Sequence, residues 1–172
     1  MGAKVIAAAS SEEKLQTCKE HGADEILLYP SGKMDRDQQK KLSDDIKALT
    51  GGEGADVVYD PVGGDYAEPA LRATAWEGRY LVVGFAAGDI PKIPLNLALL
   101  KGCQIVGVFW GAFKGREVEA HNANVDELLK LYGDGHLKPH ISSIYSLEEG
   151  SKAISDLAER KARGKVIVQV RA

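Results

Sequence analysis

An α/β fold built on a parallel sheet is predicted for this chain of 172 residues from three observations. Short apolar runs alternate with segments of helical periodicity along the whole length, the pattern of strands joined by crossover helices. Two of the runs are followed by a Ser-x-x-Glu signature of a helix start. Gly, Pro, Ser and Asp gather between the segments, where turns are needed.

The elements follow in order. Residues 5–9, Val-Ile-Ala-Ala-Ala, form a buried strand. Ser10 and Glu13 have the spacing of a capping box, so a helix is expected from there to His21. Gly22 can take the left-handed position beyond its end. Residues 25–29 are a strand stopped by Pro30-Ser31-Gly32, and residues 37–49 a helix ended by Gly51-Gly52. Residues 56–60 form the next strand, residues 65–76 the next helix, and residues 79–84 a strand that opens into the loop from Ala86 to Pro91. One or two helical turns at 95–100 lead to a strand at Gln104 to Val108. That strand stays apolar through Phe109 and Trp110, so it is expected at a sheet edge used for self-association. Val118, Val125, Leu128, Leu129 and Tyr132 recur at helical spacing. Residues 139–145 are extended, and Ser146 and Glu149 form a second capping signature. Ala153, Ile154, Leu157 and Ala158 form the apolar stripe of the helix that follows, and residues 166–170 are the last strand. There is no internal repeat, low-complexity segment or linker, and the length suits one domain.

Composition narrows the function classes. The net charge is -3, from 22 basic and 25 acidic residues, with no basic stripe that would suit nucleic acid. The charge-rich stretch at 33–47 is mixed in sign and reads as a solvated helix face. No apolar run approaches the ~20 residues of a membrane span. Cys18 and Cys103 stand far apart and read as free thiols of a reducing compartment. His136 and His140 are four apart, but Pro139 argues against the helix that would put both on one face. No Cys, Asp or Glu set completes a zinc site around them. There is no Gly-x-Ser-x-Gly elbow of a serine hydrolase. Trp76, Phe109, Trp110 and Phe113 read as core or interface aromatics, and His21 and His121 as surface residues on helices.

The order strand, capped helix, strand, with a Gly-rich turn after residues 56–60, reads as a dinucleotide-binding domain. Such a domain opens with a strand, Gly-x-Gly-x-x-Gly and a helix, because the pyrophosphate sits on that helix's N-terminus. No Gly-x-Gly-x-x-Gly occurs here. The expected fold is therefore a Rossmann-like doubly wound parallel sheet lacking the first strand and the glycine-rich loop. In the usual order that strand lies centrally, so a gap or a closing-up is expected between strands 5–9 and 56–60.

The chemistry-bearing candidates lie at strand ends. An NAD-binding domain places Asp or Glu at the tip of its second strand to hold the ribose 2′-hydroxyl, whereas NADP needs room and positive charge. Here the tip is Ala9-Ser10-Ser11, with Lys14 one helical turn on. Two hydroxyls and a lysine beside a helix N-terminus suit a phosphate. The same residues also suit a plain cap and a surface lysine, and Glu12 and Glu13 add negative charge nearby. Pro61-Val62-Gly63-Gly64 and Gly84-Phe85-Ala86-Ala87-Gly88 end two neighbouring strands. Small residues there let a flat ring or a ribose approach the backbone, and they equally serve ordinary turns.

Gly2-Ala3-Lys4-Val5-Ile6-Ala7, Gly22-Ala23-Asp24, Asp60-Pro61-Val62-Gly63-Gly64, Gly78-Arg79-Tyr80-Leu81-Val82-Val83-Gly84 and Gly164-Lys165-Val166-Ile167-Val168 occur in an order that resembles one family. It is the zinc-independent quinone oxidoreductase branch of the medium-chain dehydrogenase/reductase superfamily. The resemblance covers essentially the whole chain. It implies that residues 1–172 are part of an NADP-binding domain and that a GroES-like catalytic domain lies outside the chain. It implies NADPH as cofactor, with Ser11, Lys14 and Tyr29 at the 2′-phosphate, and Pro61, Val62, Gly63, Phe85 and Ala86 on the nicotinamide side. Arg160 matches a further cofactor contact. Pro61 departs from the Ser of some relatives, which touches only a side-chain contact. No catalytic acid carries over, because hydride transfer rests on positioning and the cofactor's chemistry. The implied activity is hydride transfer from NADPH to a quinone or α,β-unsaturated carbonyl in a cytoplasmic homodimer paired through the 104–108 strand. An upstream targeting segment would make the location the mitochondrial matrix. Two other readings remain open: a non-catalytic pairing module, and an enoyl-thioester reductase.

Overall fold

The structure is a computed structural model that describes residues 2–159 and 161–171. The chain divides into two compact units, Met1–Trp110 and Gly111–Ala172. The first carries β1 (Ile6–Ala9), α1 (Glu12–Glu20), β2 (Glu25–Leu28), α2 (Arg36–Leu49), β3 (Ala55–Asp60), a 3-10 turn (Gly64–Tyr66), α3 (Ala67–Arg72), β4 (Thr74–Val82), α4 (Asn96–Lys101) and β5 (Gln104–Gly107). Helix α5 (Trp110–Arg116) begins at the division, and α6 (Val118–Gly133), β6 (Ile141–Ser146), α7 (Gly150–Ala158) and β7 (Lys165–Gln169) follow it.

Every strand pairing is parallel, as the alternation of apolar runs and helices requires. The α/β class is borne out. The pairings fall into three sheets, ordered β1-β2, β3-β4-β5 and β6-β7. Among the described residues β1 and β3 do not pair, so the expected interruption takes the form of a gap. The two sheets of the first unit are tied on one side by packing. Leu27, Met34 and Leu42 form a buried cluster against which Ile6, Tyr29 and Tyr66 pack. Two polar clasps reinforce it: Met34 N–H donates to the Asp65 carboxylate at 2.9 Å, and Tyr66 hydroxyl lies 3.0 Å from Pro30 O and 2.8 Å from Gly32 O. The second cluster, Ala67, Leu71, Tyr80 and Leu97, fastens α3 and α4 to the β3-β4-β5 sheet.

Several local expectations need correction. Helix α1 is capped by Ser11, not Ser10: Ser11 is extended, and its Oγ accepts from Lys14 N–H at 3.4 Å. The helix expected at 65–76 stops at Arg72, and Trp76 lies in β4. The alanines there favour helix, but Thr74 pairs with Ala55 at the start of the sheet, and that pairing decides. A register shift between Ala55 and Val57 absorbs the extra residues of β4, with Glu77 at φ 58°. The Ser146 signature does not cap α7: the helix begins at Gly150 after Glu149, whose carboxylate accepts from Ser146 N–H at 3.3 Å. Helix α2 is held by an unexpected capping box of Asp35 and Gln38. Trp76 and Phe109 are not core residues, being 72% and 79% exposed. His121 is half-buried, edge-on to Phe113 at 6.5 Å.

Candidate cofactor site at the carboxyl ends of the strands

In a parallel α/β sheet all strands end on the same side, and ligands bind against those ends. Two groups of the expected residues lie there, one on each sheet of the first unit.

The first group is built by β1, β2 and α1. Tyr29 N–H donates to Ala9 O at 3.0 Å, which continues the β1-β2 ladder one step beyond its regular end. That bond sets Tyr29 beside the turn Ala9-Ser10-Ser11. Ser11 is engaged as the helix cap, so its hydroxyl already accepts one bond and retains its own proton to donate. Lys14 is half-buried and takes part in none of the ion pairs among the described residues. Tyr29 stacks at a tilt on Tyr66, with ring centroids 4.7 Å apart. Burial chiefly, then the neighbouring Tyr66 and Asp60, push its hydroxyl above the usual tyrosine range. Tyr29 therefore keeps its proton, which it can donate to an anion. An ammonium, a hydroxyl and a phenol at a helix N-terminus can together hold a phosphate.

The second group is built by the loops after β3 and β4. Backbone bonds stitch them into one wall. Val83 and Gly84 donate to Asp60 O at 3.0 and 3.3 Å, Ala86 to Pro61 O at 3.0 Å and Ala87 to Val62 O at 2.8 Å. Gly63 has φ 66°, and a Cβ there would stand 2.9 Å from Phe85 Cδ1. Pro61, Val62, Gly63, Phe85 and Ala86 are thus brought together as the sequence suggested. Phe85 is 39% exposed. Sequence reading missed the group beneath this wall. One Asp60 carboxylate oxygen accepts from Val62 N–H and Gly63 N–H at 2.8 and 2.9 Å, and the other takes a short hydrogen bond from the Tyr80 hydroxyl. The available signal was an Asp two and three residues ahead of free backbone donors, the spacing of an Asx turn. Arg160 lies outside the described residues.

Residues 1–129 match the zinc-binding dehydrogenase family. The chain belongs to that family. It is 37% identical over 171 residues to a quinone oxidoreductase-like protein 2 homolog of Nematostella vectensis, covering 99% of this chain and 44% of the relative. It is likewise 37% identical over 169 residues to quinone oxidoreductase-like protein 2 of Bos taurus, covering 98% and 46%. Among solved structures, a mycobacterial protein in complex with NADPH superposes with TM-score 0.84 at 26% identity, over 98% of this chain and 50% of that one. The chain thus spans less than half the length of these two curated relatives. The medium-chain dehydrogenase/reductase resemblance, and the Rossmann-like fold it implied, are borne out.

The family's name implies zinc. Among the described residues no three His, Cys, Asp or Glu side chains lie close enough to hold a metal ion. The donor set of the described residues does not fit a zinc ion. Among the described residues no helix is long and apolar enough to cross a membrane.

Proposed function

We propose that this chain is the NADPH-binding part of an oxidoreductase that passes hydride to a quinone or another α,β-unsaturated carbonyl without zinc. The reading is carried by Ser11, Lys14 and Tyr29 at one carboxyl edge, with no acidic residue at the tip of β1 to hold a 2′-hydroxyl. NADPH would place its 2′-phosphate on these three, and its nicotinamide against Pro61, Val62, Gly63, Phe85 and Ala86. Arg160 would add a further cofactor contact. When bound, the cofactor supplies the hydride. The residues of this chain orient it and select it.

Lys14 is the main selector. A charge-assisted hydrogen bond is worth roughly 1.5–3 kcal/mol, on the order of tenfold to a hundredfold in affinity. Lys14→Ala should weaken NADPH by about that factor and leave NADH nearly unchanged. Titrating both cofactors at one ionic strength tests this. Equal losses would mean that Lys14 supports the fold and not the phosphate.

The substrate cleft belongs with a GroES-like domain outside these residues, and the chain has no Gly-x-Gly-x-x-Gly to hold a pyrophosphate. The 172-residue chain should therefore not oxidise NADPH with a simple quinone. Steady turnover by the pure chain would refute this. We also propose a cytoplasmic homodimer joined through β5, with the mitochondrial matrix as the alternative site. An enoyl-thioester reductase shares this cofactor chemistry. A second reading is a non-catalytic pairing module, and NADPH binding by the chain separates it from the first.

A further inference from the structure

We infer that Asp60 and Tyr80 form a clasp that sets the nicotinamide-side wall, making both of them positioning residues for the cofactor. The inference rests on the proposed cofactor reading. Asp60 is the last residue of β3, so it stands at the point where chain direction changes from strand to loop. Its Oδ1 accepts from both Val62 and Gly63 N–H groups at 2.8 and 2.9 Å. A free loop of this kind, with Gly63 and Gly64 in succession, has wide conformational freedom. Two bonds to one carboxylate oxygen remove that freedom and aim the peptide of Val62 and Gly63.

The carboxylate itself would swing without a second hold. Tyr80 provides it from the neighbouring strand β4, where its ring sits in the core cluster at 3% exposure. The phenol is buried and its position is fixed by packing, so its hydrogen bond to Oδ2 fixes the carboxylate plane. The core of the β3-β4-β5 sheet is thereby coupled to the wall through two side chains. The wall in turn carries Phe85, since Gly63 leaves just the space its ring edge fills. Ala86 and Ala87 donate to Pro61 and Val62 carbonyls and complete the frame. Neither Asp60 nor Tyr80 needs to touch cofactor for this to matter. A wall displaced by an ångström loses the nicotinamide contact and leaves the phosphate end of the molecule unaffected.

The test compares two probes on the full chain: NADPH, which spans both groups of residues, and adenosine 2′,5′-bisphosphate, which reaches only the first. Amide exchange at Val62 and Gly63 is followed beside them. Asp60→Ala should expose both amides and weaken NADPH about tenfold, while the bisphosphate, which loses only a nearby negative charge, is not weakened. Asp60→Asn keeps an acceptor oxygen and should restore most of the NADPH affinity. Tyr80→Phe should give a smaller loss of the same pattern and serves if Asp60→Ala does not fold. Equal weakening of both probes would overturn the inference, because it would mean general damage to the fold. So would unchanged NADPH affinity once the two amides are exposed. If the unaltered chain binds the bisphosphate and gains nothing from the nicotinamide half, the wall has no cofactor role while the phosphate group stands. If the unaltered chain binds neither, the cofactor reading itself fails.

Discussion

Tyr80 shows how one buried hydroxyl can make stability depend on pH. Burial, followed by the hydrogen bond and charge of Asp60, raises its pKa above the ordinary 10.0. The sign follows from linkage: the unfolded chain releases this proton near the ordinary value and the folded chain holds it. Stability is therefore complete below about pH 10 and declines as the pH climbs past it. In Tyr80→Phe that part of the decline should vanish. Urea midpoints measured from about pH 9 to about pH 11 check it, and parallel profiles for the two proteins would count against it. Glycines give a second contrast. A Cβ at Gly54 would meet Ala73 O at 2.5 Å, an immovable backbone atom, whereas at Gly63 it would meet the edge of the Phe85 ring. Both have positive φ, and at Gly63 φ 66° is combined with ψ −144°, backbone that is essentially glycine's alone. Gly54→Ala adds a clash with fixed backbone and Gly63→Ala the displacement of a ring edge, so both should lose stability in a denaturant titration. Unchanged stability of either would show that the backbone there relaxes to admit a side chain. The placing of Ser11 and Lys14 was legible because a strand end and the helix start after it can be read in order, whereas Tyr29 entered through the family resemblance. Asp60 was not legible, because its partner Tyr80 is distant in sequence and meets it only across two paired strands.

At the scale of elements, among the described residues strand β5 pairs with β4 alone and stands at the edge of its sheet. Ile105 of this strand is 40% exposed, and the chain continues into Phe109 at 79%. An apolar parallel edge of this kind is a template for another strand. The proposed homodimer would use it, and Val106→Lys would place a charge at that seam. Light scattering should then report the monomer mass, and an unchanged dimer mass would move the interface elsewhere. Most elements could be read from apolar runs, caps and breakers, within a residue or two of their ends. The exception was the alanine-rich segment after Tyr66. Its composition favours helix, and only pairing with β3, a non-local contact, turns its second half into strand. Helix α5 was also missed, because Gly111 and Gly115 in Trp110–Arg116 carry no helical signal.

For the molecule as a whole, burial is unevenly shared. Ala67, Leu71, Ala73, Thr74 and Tyr80 are all 3% exposed or less, and all sit on α3 and β4 or the joint between them. In the second unit, by contrast, Ala153 is the one residue of the buried apolar set among the described residues. The stripe that identified α6 in the sequence is present as a helix, yet Val118, Leu128, Leu129 and Tyr132 are 49–63% exposed. Periodicity thus located the helix without saying what covers it, because the cover is not a neighbour in sequence. Local opening is governed by how much apolar surface a segment buries, so the two units should differ in how often their hydrogen bonds break. We expect amides of β3 and β4 to exchange slowest, through opening of the whole first unit. Those of α6, β6 and β7 should exchange faster by orders of magnitude, since each kcal/mol or so of missing local stability is several-fold in rate. Hydrogen exchange read by mass spectrometry on the 172-residue chain resolves these segments. If β6 and β7 were protected as strongly as β4, their exposed side chains would have found cover. A partner surface, from a second copy or another domain, would then already be engaged in solution, and concentration dependence of that protection would separate the two.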